Sequence, residues 1–316
     1  MANPLFPTDD FKIFLASLLA RGNLKEGYIT KILADPENIK LFRKAWTHPS
    51  YVDDLNGNKE SETTRDSESY DLLETYGDGS IAEFMVYYIR WRFPDLKSIK
   101  WVSRLKHTLV GGKMLGKLAI KEKMDRFARY GRAMAESMRK YPDLAKNKDY
   151  YSMMEDVLEA FCGALETIMT RDYSHGVFVE VIHAILRSFL ANVEISLRYQ
   201  DAFDAVTRLK ELYESNKRGL KWPTNKKAGG CYTITKLDNG ETKVSVYGWP
   251  KGDRKPEQRN RVLLATATEP IEKGAKETAS YKALEVLESM YGIKDLGLDP
   301  YKTFTQPWRS EMGKKD

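Results

Sequence analysis

Residues 69–84 read SYDLLETYGDGSIAEF, and they predict a long helix in the first two thirds of the chain. Asp71, Glu74 and Asp78 follow one another at spacings of three and four, so their side chains project from one face of a helix. Apolar residues in the same stretch predict that this helix is largely enclosed: Leu73, Tyr76, Ile81 and Phe84. Acids that are half-buried in this way need a counter-charge.

A second acidic helix is predicted over 153–168, MMEDVLEAFCGALETI, where Asp156 and Glu159 interrupt an apolar run. If the two helices pack, four or five carboxylates converge with almost no basic residue in either segment. One or two hard divalent cations are the natural counter-charge. Gly77 and Gly163 each cost about 1 kcal/mol inside a helix, and a close approach of two helices is a reason to tolerate them. Either acid pair alone also fits a solvated surface, but the two pairs together favour a metal site.

The apolar spacing is helical from about residue 10 to 200, and it changes to period two with β-branched residues beyond that point. In the helical part, helices are predicted over 69–92, 97–121, 124–131, 148–170 and 175–196. The polar stretch 53–69 lacks an apolar period and predicts an exposed loop.

Three strands are predicted in the later part, over 229–237, 242–249 and 261–268. Asp238, Asn239 and Gly240 provide a hairpin turn between the first two strands. Helices flank the strands at 205–219 and 273–293. The predicted domains are 1–198 and 203–294, followed by a tail at 295–316.

Composition excludes several classes of protein. The 316 residues suggest about two folded units, and 42% hydrophobic with 30% charged residues excludes a disordered, collagen-like or coiled-coil chain. No apolar run is long enough to span a membrane, and the start of the chain does not resemble a signal peptide. Cys162 and Cys231 give neither a disulfide framework nor a zinc spacing, so an intracellular, cytoplasmic protein is predicted.

The net charge of +6 is unevenly distributed. Between Arg208 and Arg261 there are 14 Lys and Arg residues against 6 Asp and Glu residues. A phosphate backbone is one partner that this segment fits, and a solvated basic surface is the alternative.

Three motifs resemble the ribonuclease III family in order and rough spacing: AWTHPSY (45–51), LLETYGDGSI (72–81) and DVLEAFCGAL (156–165). The resemblance covers about 36–196, and the terminal unit looks like the double-stranded RNA-binding domain that commonly follows. It implies an all-α ribonuclease III endonuclease domain followed by a small α+β (α-β-β-β-α) double-stranded RNA-binding domain. It also implies a homodimer formed by the endonuclease domains.

The resemblance assigns Glu74, Asp78, Asp156 and Glu159 to the family's catalytic, metal-binding acids. These would bind Mg²⁺, for which Mn²⁺ can substitute. Asp71 is a fifth metal-binding residue, at a position where the family usually has glutamate. Three other positions depart from the family pattern. Leu72 stands where the family usually has arginine, Thr75 where it usually has phenylalanine, and Ile99 where it usually has glutamate.

The RNA-binding residues implied by the resemblance are Thr207, Lys210, Glu211, Lys273 and Lys276. Glu272 replaces the first lysine of the family's Lys-Lys-x-Ala-Lys pattern, and the first hairpin lacks the family's Gly-Pro-x-His loop. The basic segment 249–261 fits either a phosphate contact or a solvated insertion.

The predicted function is a metal-dependent endoribonuclease that cleaves double-stranded RNA to 5′-phosphate and 3′-hydroxyl ends with short 3′ overhangs. The alternative is an inactive double-stranded RNA-binding subunit of a ribosomal or RNA-processing complex. A suppressor of RNA silencing would share the same chemistry. His48 is interpreted as a helix-end residue that is hydrogen-bonded within the fold, and His107 and His183 as packing or surface residues.

Overall fold

The computed structural model describes residues 8–57, 66, 68–140, 147–197, 199–214, 231–248 and 261–293. The chain divides into two compact units between Val193 and Glu194. None of the described helices is long and apolar enough to cross a membrane.

The regular secondary structure of the first unit is helical across its described residues, with one isolated parallel bridge between Thr47 and Arg129. Its helices are α1 (Thr8–Ala20), α2 (Glu26–Ala34), α3 (Pro36–Ala45), α4 (Pro49–Asn56), α5 (Asp71–Arg92), α6 (Ile99–Leu109), α7 (Gly112–Lys121), a 3-10 turn (Met124–Phe127), α8 (Arg132–Lys140), α9 (Lys148–Asp172) and α10 (His175–Leu190).

Helix α9 forms the centre of this unit and packs against α5, α7, α10 and α3. The Asn147 side chain caps its start by accepting a hydrogen bond from the Tyr150 N–H at 3.1 Å. Its middle is buried on every side, because residues 157–165 are all buried. A helix that is apolar around its whole circumference is expected at the core of a helical domain.

Glycines bring α9 into backbone contact with two of its neighbours, α5 and α7. A Cβ atom on Gly77 of α5 would lie 1.7 Å from the Glu159 carbonyl oxygen, and one on Gly163 would lie 2.0 Å from the Leu73 carbonyl oxygen. On α7, a Cβ atom on Gly116 would lie 2.4 Å from the Tyr151 carbonyl oxygen. Only glycine fits at these positions without a shift of the main chain, so the predicted close approach of the two acidic helices is confirmed.

The second unit has the predicted order of helix, three strands and helix. Its elements are α11 (Tyr199–Ala202), α12 (Ala205–Glu214), β1 (Tyr232–Lys236), β2 (Thr242–Gly248), β3 (Val262–Glu269) and α13 (Glu272–Tyr291). The sheet is antiparallel in the order β1-β2-β3, and Val244 and Val246 point from β2 into the core beside α12 and α13. Gly240, at φ +84°, closes the predicted hairpin by donating its N–H to the Leu237 carbonyl oxygen at 3.0 Å.

Several predicted elements differ from the structure. The helix predicted over 97–121 is two helices, because Gly111 is extended and begins α7. The helix predicted over 124–131 is a 3-10 turn at Met124–Phe127 followed by non-helical residues 128–131, and the helix predicted to reach residue 196 ends at Leu190. The exposed loop predicted over 53–69 begins too early, because α4 continues to Asn56 before Gly57 caps it at φ +62°.

Other predictions fall outside the described residues. They concern 58–65 and 67 in the polar stretch, 215–219 at the end of the predicted 205–219 helix, most of the basic segment 249–261, and the tail.

Candidate metal centre

The acids of the two motif helices meet where α5 crosses α9. Glu74, Asp156 and Glu159 each offer a carboxylate oxygen, and these oxygens all lie within 4.8 Å of one another. In the described part of the chain, no other group of three or more acids, histidines or cysteines is this compact. Glu159 is 5% exposed, whereas Glu74 and Asp156 are half-buried.

The glycine contact explains why the acids are so close. Gly77 lies one turn after Glu74, and its Cα faces the backbone of Glu159 itself. Two helices in backbone contact leave no room for side chains between them, so acids beside the contact must share one pocket. The spacing of the cluster is therefore set by main-chain packing.

The electrostatics of the cluster are those of an uncompensated group of acids. Burial, and then the charges of neighbouring acids, raise the pKa of Glu159 to about 9 and that of Glu74 to about 7. Burial also raises the pKa of Asp156, although a hydrogen bond from Tyr70 acts in the opposite direction. Among the described residues, no lysine, arginine or histidine forms an ion pair with any of the three.

Asp71 and Asp78 lie outside this close set. Asp71 is half-buried and raises the pKa of Glu74 and Asp156, whereas Asp78 is exposed and raises the pKa of Glu74 and Glu159. The sequence predicted that four or five carboxylates converge, and the structure gathers three within 4.8 Å, with these two nearby. Tyr76, expected to help enclose the helix, is instead 50% exposed.

Sequence reasoning missed two residues at the cluster. Glu155 precedes Asp156, is half-buried, and has its pKa raised to about 7 by burial and by Asp156, Glu74 and Asp78. Its spacing of four from Glu159 was a signal that could have identified it. Tyr70, directly before α5, donates its hydroxyl hydrogen to Asp156 Oδ2 at 2.7 Å, and no periodicity indicates such a contact.

His48 is confirmed as a helix-end residue. Its Nδ1 accepts the Ser50 N–H at 3.0 Å and so caps α4, and burial lowers its pKa to about 4. His107 is exposed on α6, and His183 packs against the rings of Phe84 and Tyr87. None of the three belongs to the acid cluster.

The donor set of the cluster fits a hard divalent cation. Two oxygens on opposite sides of one Mg²⁺ or Ca²⁺ ion are about 4–5 Å apart, so three oxygens within 4.8 Å can share one ion. Carboxylates are the ligands that such ions prefer, and a buried negative group without a basic partner is stabilised by binding one.

The residues predicted to bind RNA lie on α12 and α13 of the second unit. Thr207 donates its N–H and its hydroxyl to the Asp204 carboxylate, each at 2.8 Å, and Glu211 accepts the Tyr199 hydroxyl. Lys210 is exposed, with its Nζ 3.7 Å from Glu214 Oε1.

On α13, Lys273 is exposed in the first turn. Lys276 Nζ lies 2.7 Å from Glu272 Oε1, so the acid at the position where the resemblance led us to expect lysine pairs with the lysine four residues later.

Two viral proteins are similar to the chain over most of its length. The protein named "Putative ribonuclease 3" from Invertebrate iridescent virus 6 is 26% identical over 310 residues, which cover 93% of this chain and 93% of that protein. The protein of the same name from Frog virus 3 (isolate Goorha) is 30% identical over 254 residues, which cover 79% of this chain and 61% of that protein. The chain is related to the ribonuclease III family.

Other similarities are partial. Dicer-like protein 1 of Aspergillus niger is 26% identical over 268 residues, which cover 79% of this chain and 16% of that protein. Two solved structures are similar. The nuclease domain of ribonuclease III from Campylobacter jejuni is 19% identical, and the match covers 57% of this chain and 96% of that chain with a TM-score of 0.36. Dicer from Pichia stipitis is 17% identical, and the match covers 67% of this chain and 86% of that chain with a TM-score of 0.26. No protein-family model matches the sequence.

Three positions that depart from the ribonuclease III pattern are exposed and contribute no carboxylate to the acid cluster. Leu72 is 49% exposed on α5, and Ile99 is 85% exposed at the start of α6. Thr75 is exposed, and its hydroxyl donates to the Asp71 carbonyl oxygen at 3.1 Å. These departures therefore leave the three clustered carboxylates in place.

Proposed function

We propose that the protein is a metal-dependent nuclease of the ribonuclease III type. Its reaction would be endonucleolytic cleavage of double-stranded RNA to 5′-phosphate and 3′-hydroxyl ends with short 3′ overhangs. The family relationship and the names of the two viral relatives support the nuclease assignment.

One observation carries the proposal: the carboxylates of Glu74, Asp156 and Glu159 lie within 4.8 Å of one another without a basic partner among the described residues. They come from helices that are far apart in sequence, and they belong to the two motifs that resemble the family's metal-binding helices. A purely structural role would leave one buried and two half-buried acids that must either take up protons or carry uncompensated charge, which is costly in free energy.

In the proposed site, Glu74, Asp156 and Glu159 hold Mg²⁺, or Mn²⁺ in its place. A cation held by these residues would supply an activated water and would stabilise the negative charge that develops on the phosphodiester. Asp78, exposed on the same helix, is the proposed fourth catalytic acid. Asp71 is the proposed fifth metal-binding residue.

We assign the second unit as the double-stranded RNA-binding domain, over 203–294, after an endonuclease domain over 1–198. Its order of helix, three antiparallel strands and helix supports this assignment. Duplex RNA is recognised mainly by shape, through 2′-hydroxyls and phosphates. Lys210, Lys273 and Lys276 are the proposed phosphate contacts, and Thr207 and Glu211 the proposed minor-groove contacts.

We further propose a homodimer formed by the endonuclease domains, which would present one acid cluster to each strand of a duplex. Sedimentation at micromolar concentration tests this point separately, and a monomer would contradict it.

The test of the nuclease is cleavage of a long end-labelled RNA duplex in Mg²⁺ and in EDTA. We expect endonucleolytic fragments in Mg²⁺ only, and Glu159→Gln should lower the rate by roughly a thousandfold, since metal stabilisation of a transition state is worth several kcal/mol. Glu166→Gln is the matched control. Glu166 lies two turns further along the same helix, where it accepts a hydrogen bond from the Ser80 hydroxyl, and it is not part of the cluster. This variant should therefore cleave at the normal rate.

Two results would contradict the proposal. Cleavage by Glu159→Gln at the normal rate in Mg²⁺ would exclude the cluster as the active site. Binding of the duplex without cleavage under any divalent cation would favour the alternative, an inactive RNA-binding subunit.

A further inference from the structure

Tyr70 is a buried residue that contacts the acid cluster directly. It precedes α5 and is 2% exposed, and its hydroxyl donates a hydrogen bond to Asp156 Oδ2 at 2.7 Å. It therefore links the start of one motif helix to an acid on the other, across 86 residues of sequence.

The first motif holds Tyr70 in place. The Tyr70 N–H donates to the Thr47 carbonyl oxygen at 2.9 Å, and the Tyr70 ring packs edge-on against the His48 ring, with centroids 5.5 Å apart. His48 is itself fixed by Ser50, whose Oγ accepts the Gly131 N–H at 2.9 Å. Residues 47–50 thus form a rigid support behind the tyrosine.

The type of contact matters for a cation site. An arginine or lysine at this place would also orient the Asp156 carboxylate, but its positive charge would compete with the cation. A neutral hydroxyl fixes the carboxylate without adding a positive charge, so Asp156 keeps its negative charge for a divalent ion. Ordering the side chain in advance also removes part of the entropy cost of binding.

We propose that Tyr70 is a positioning residue that orients Asp156 for binding of the divalent cation. The inference rests on the proposed function, because it needs a cation at the cluster. It assigns a role to a residue outside the five acids, and it explains why the 45–51 motif is packed beside them.

The test compares Tyr70→Phe with Tyr150→Phe. Tyr150 is a matched control, since it is also buried, and its hydroxyl donates to another aspartate, Asp125 Oδ2, at 3.1 Å. Mn²⁺ binding to the full chain without RNA is measured by electron paramagnetic resonance of the free ion. Loss of a side chain that orients a ligand typically lowers metal affinity about 10- to 100-fold. We expect this loss for Tyr70→Phe and no change for Tyr150→Phe.

Two further measurements separate positioning from folding. Tyr70→Phe keeps the ring, so its melting temperature should fall no further than that of Tyr150→Phe. In cleavage assays, Tyr70→Phe should need more Mn²⁺ for half-maximal rate yet approach the normal rate at saturating Mn²⁺. In an Asp156→Asn background, removal of the Tyr70 hydroxyl should change Mn²⁺ affinity no further.

The outcomes distinguish this inference from the proposed function. If the unmodified protein binds Mn²⁺ and cleaves RNA, and Tyr70→Phe binds Mn²⁺ equally well, the role of Tyr70 is refuted while the nuclease stands. If the unmodified protein neither binds Mn²⁺ nor cleaves, both are refuted.

Discussion

Glutamates occur in two opposite settings in this molecule, and the contrast shows how to identify an acid that serves a ligand. Glu159 in the first unit is buried among other acids, and its pKa is raised to about 9. Glu272 in the second unit is exposed and paired with Lys276, which lowers its pKa. The chain itself compensates the second charge, whereas the first requires a proton or a cation. Burial without a basic partner is therefore the informative feature, and an acidic residue alone is not.

The largest expected effect comes from separating the two acidic helices. Gly77→Ala places a Cβ atom 1.7 Å from the Glu159 carbonyl oxygen, so the backbones must move apart. We expect a loss of about 3 kcal/mol in the free energy of unfolding, at the upper end for overpacking, together with loss of cleavage. Denaturant unfolding measures the change.

Gly79→Ala is the control for this prediction. Gly79 lies in the same helix, and its Cβ would meet nothing within 4 Å. Because alanine has a higher helix propensity than glycine, Gly79→Ala should be as stable as the unmodified protein or up to about 1 kcal/mol more stable. Equal stability of the two alanine variants would show that the helices are not in backbone contact.

A second variant gives the cluster an internal counter-charge. Glu155→Lys places a lysine four residues before Glu159, so the cluster would resemble the Glu272–Lys276 pair. A positive charge at this range lowers the pKa of a carboxylate by about one to three units. We therefore expect the affinity of the cluster for Mn²⁺ to fall about 10- to 100-fold. Calorimetric titration with Mn²⁺ measures it.

Glu155→Gln controls for loss of the Glu155 carboxylate itself. It should weaken Mn²⁺ binding less than Glu155→Lys does. An unchanged affinity in the lysine variant would mean that the cluster does not attract the cation electrostatically.

A smaller effect is expected on the pH dependence of stability. The folded pKa of Glu159, about 9, lies above its ordinary value of 4.5, so the folded protein binds more protons than the unfolded protein between these values. In EDTA, the free energy of unfolding should therefore fall as the pH rises from about 5 to about 9. Thermal melts across this range measure it.

Glu159→Gln should flatten this decline, and Mg²⁺ should oppose it by binding the ionised carboxylates. Stability in EDTA that rises steadily over the same range would contradict the electrostatics of the cluster.

The smallest expected effect is in the second unit. Glu272→Gln frees Lys276 from its ion pair, and we expect roughly two- to fivefold tighter binding of duplex RNA, because exposed pairs are weak. Glu277→Gln removes the same charge from an exposed position on the same helix, so it controls for net charge. Filter binding at two salt concentrations measures both, and equal gains would assign the effect to net charge.

The sequence predicted most of the helices and all three strands, because their periodicity is a local property. It also predicted that Gly77 and Gly163 mark a close approach, since glycine destabilises a helix interior unless a neighbouring backbone needs the space. It did not predict the break at Gly111, although two adjacent glycines marked it. The short polar residues after Val52 gave no sign that α4 continues to Asn56.

Within the candidate site, sequence identified the types of residue better than their arrangement. The spacing of three and four correctly placed acids on one helix face, but the rotation of α5 against α9 decides which of them meet. That rotation left Asp78 exposed and brought Tyr70 to Asp156. Neither outcome is encoded in the local pattern, because each depends on a helix that is distant in sequence.

Backbone contacts at Gly77, Gly163 and Gly116 have a consequence for how the protein tolerates variation. Since main-chain atoms set the distance between the helices, exchanging one apolar side chain of the core for another should hardly alter the geometry of the acids. In a saturation mutagenesis library selected for cleavage, these three positions should be nearly as intolerant as the acids, although they carry no functional group.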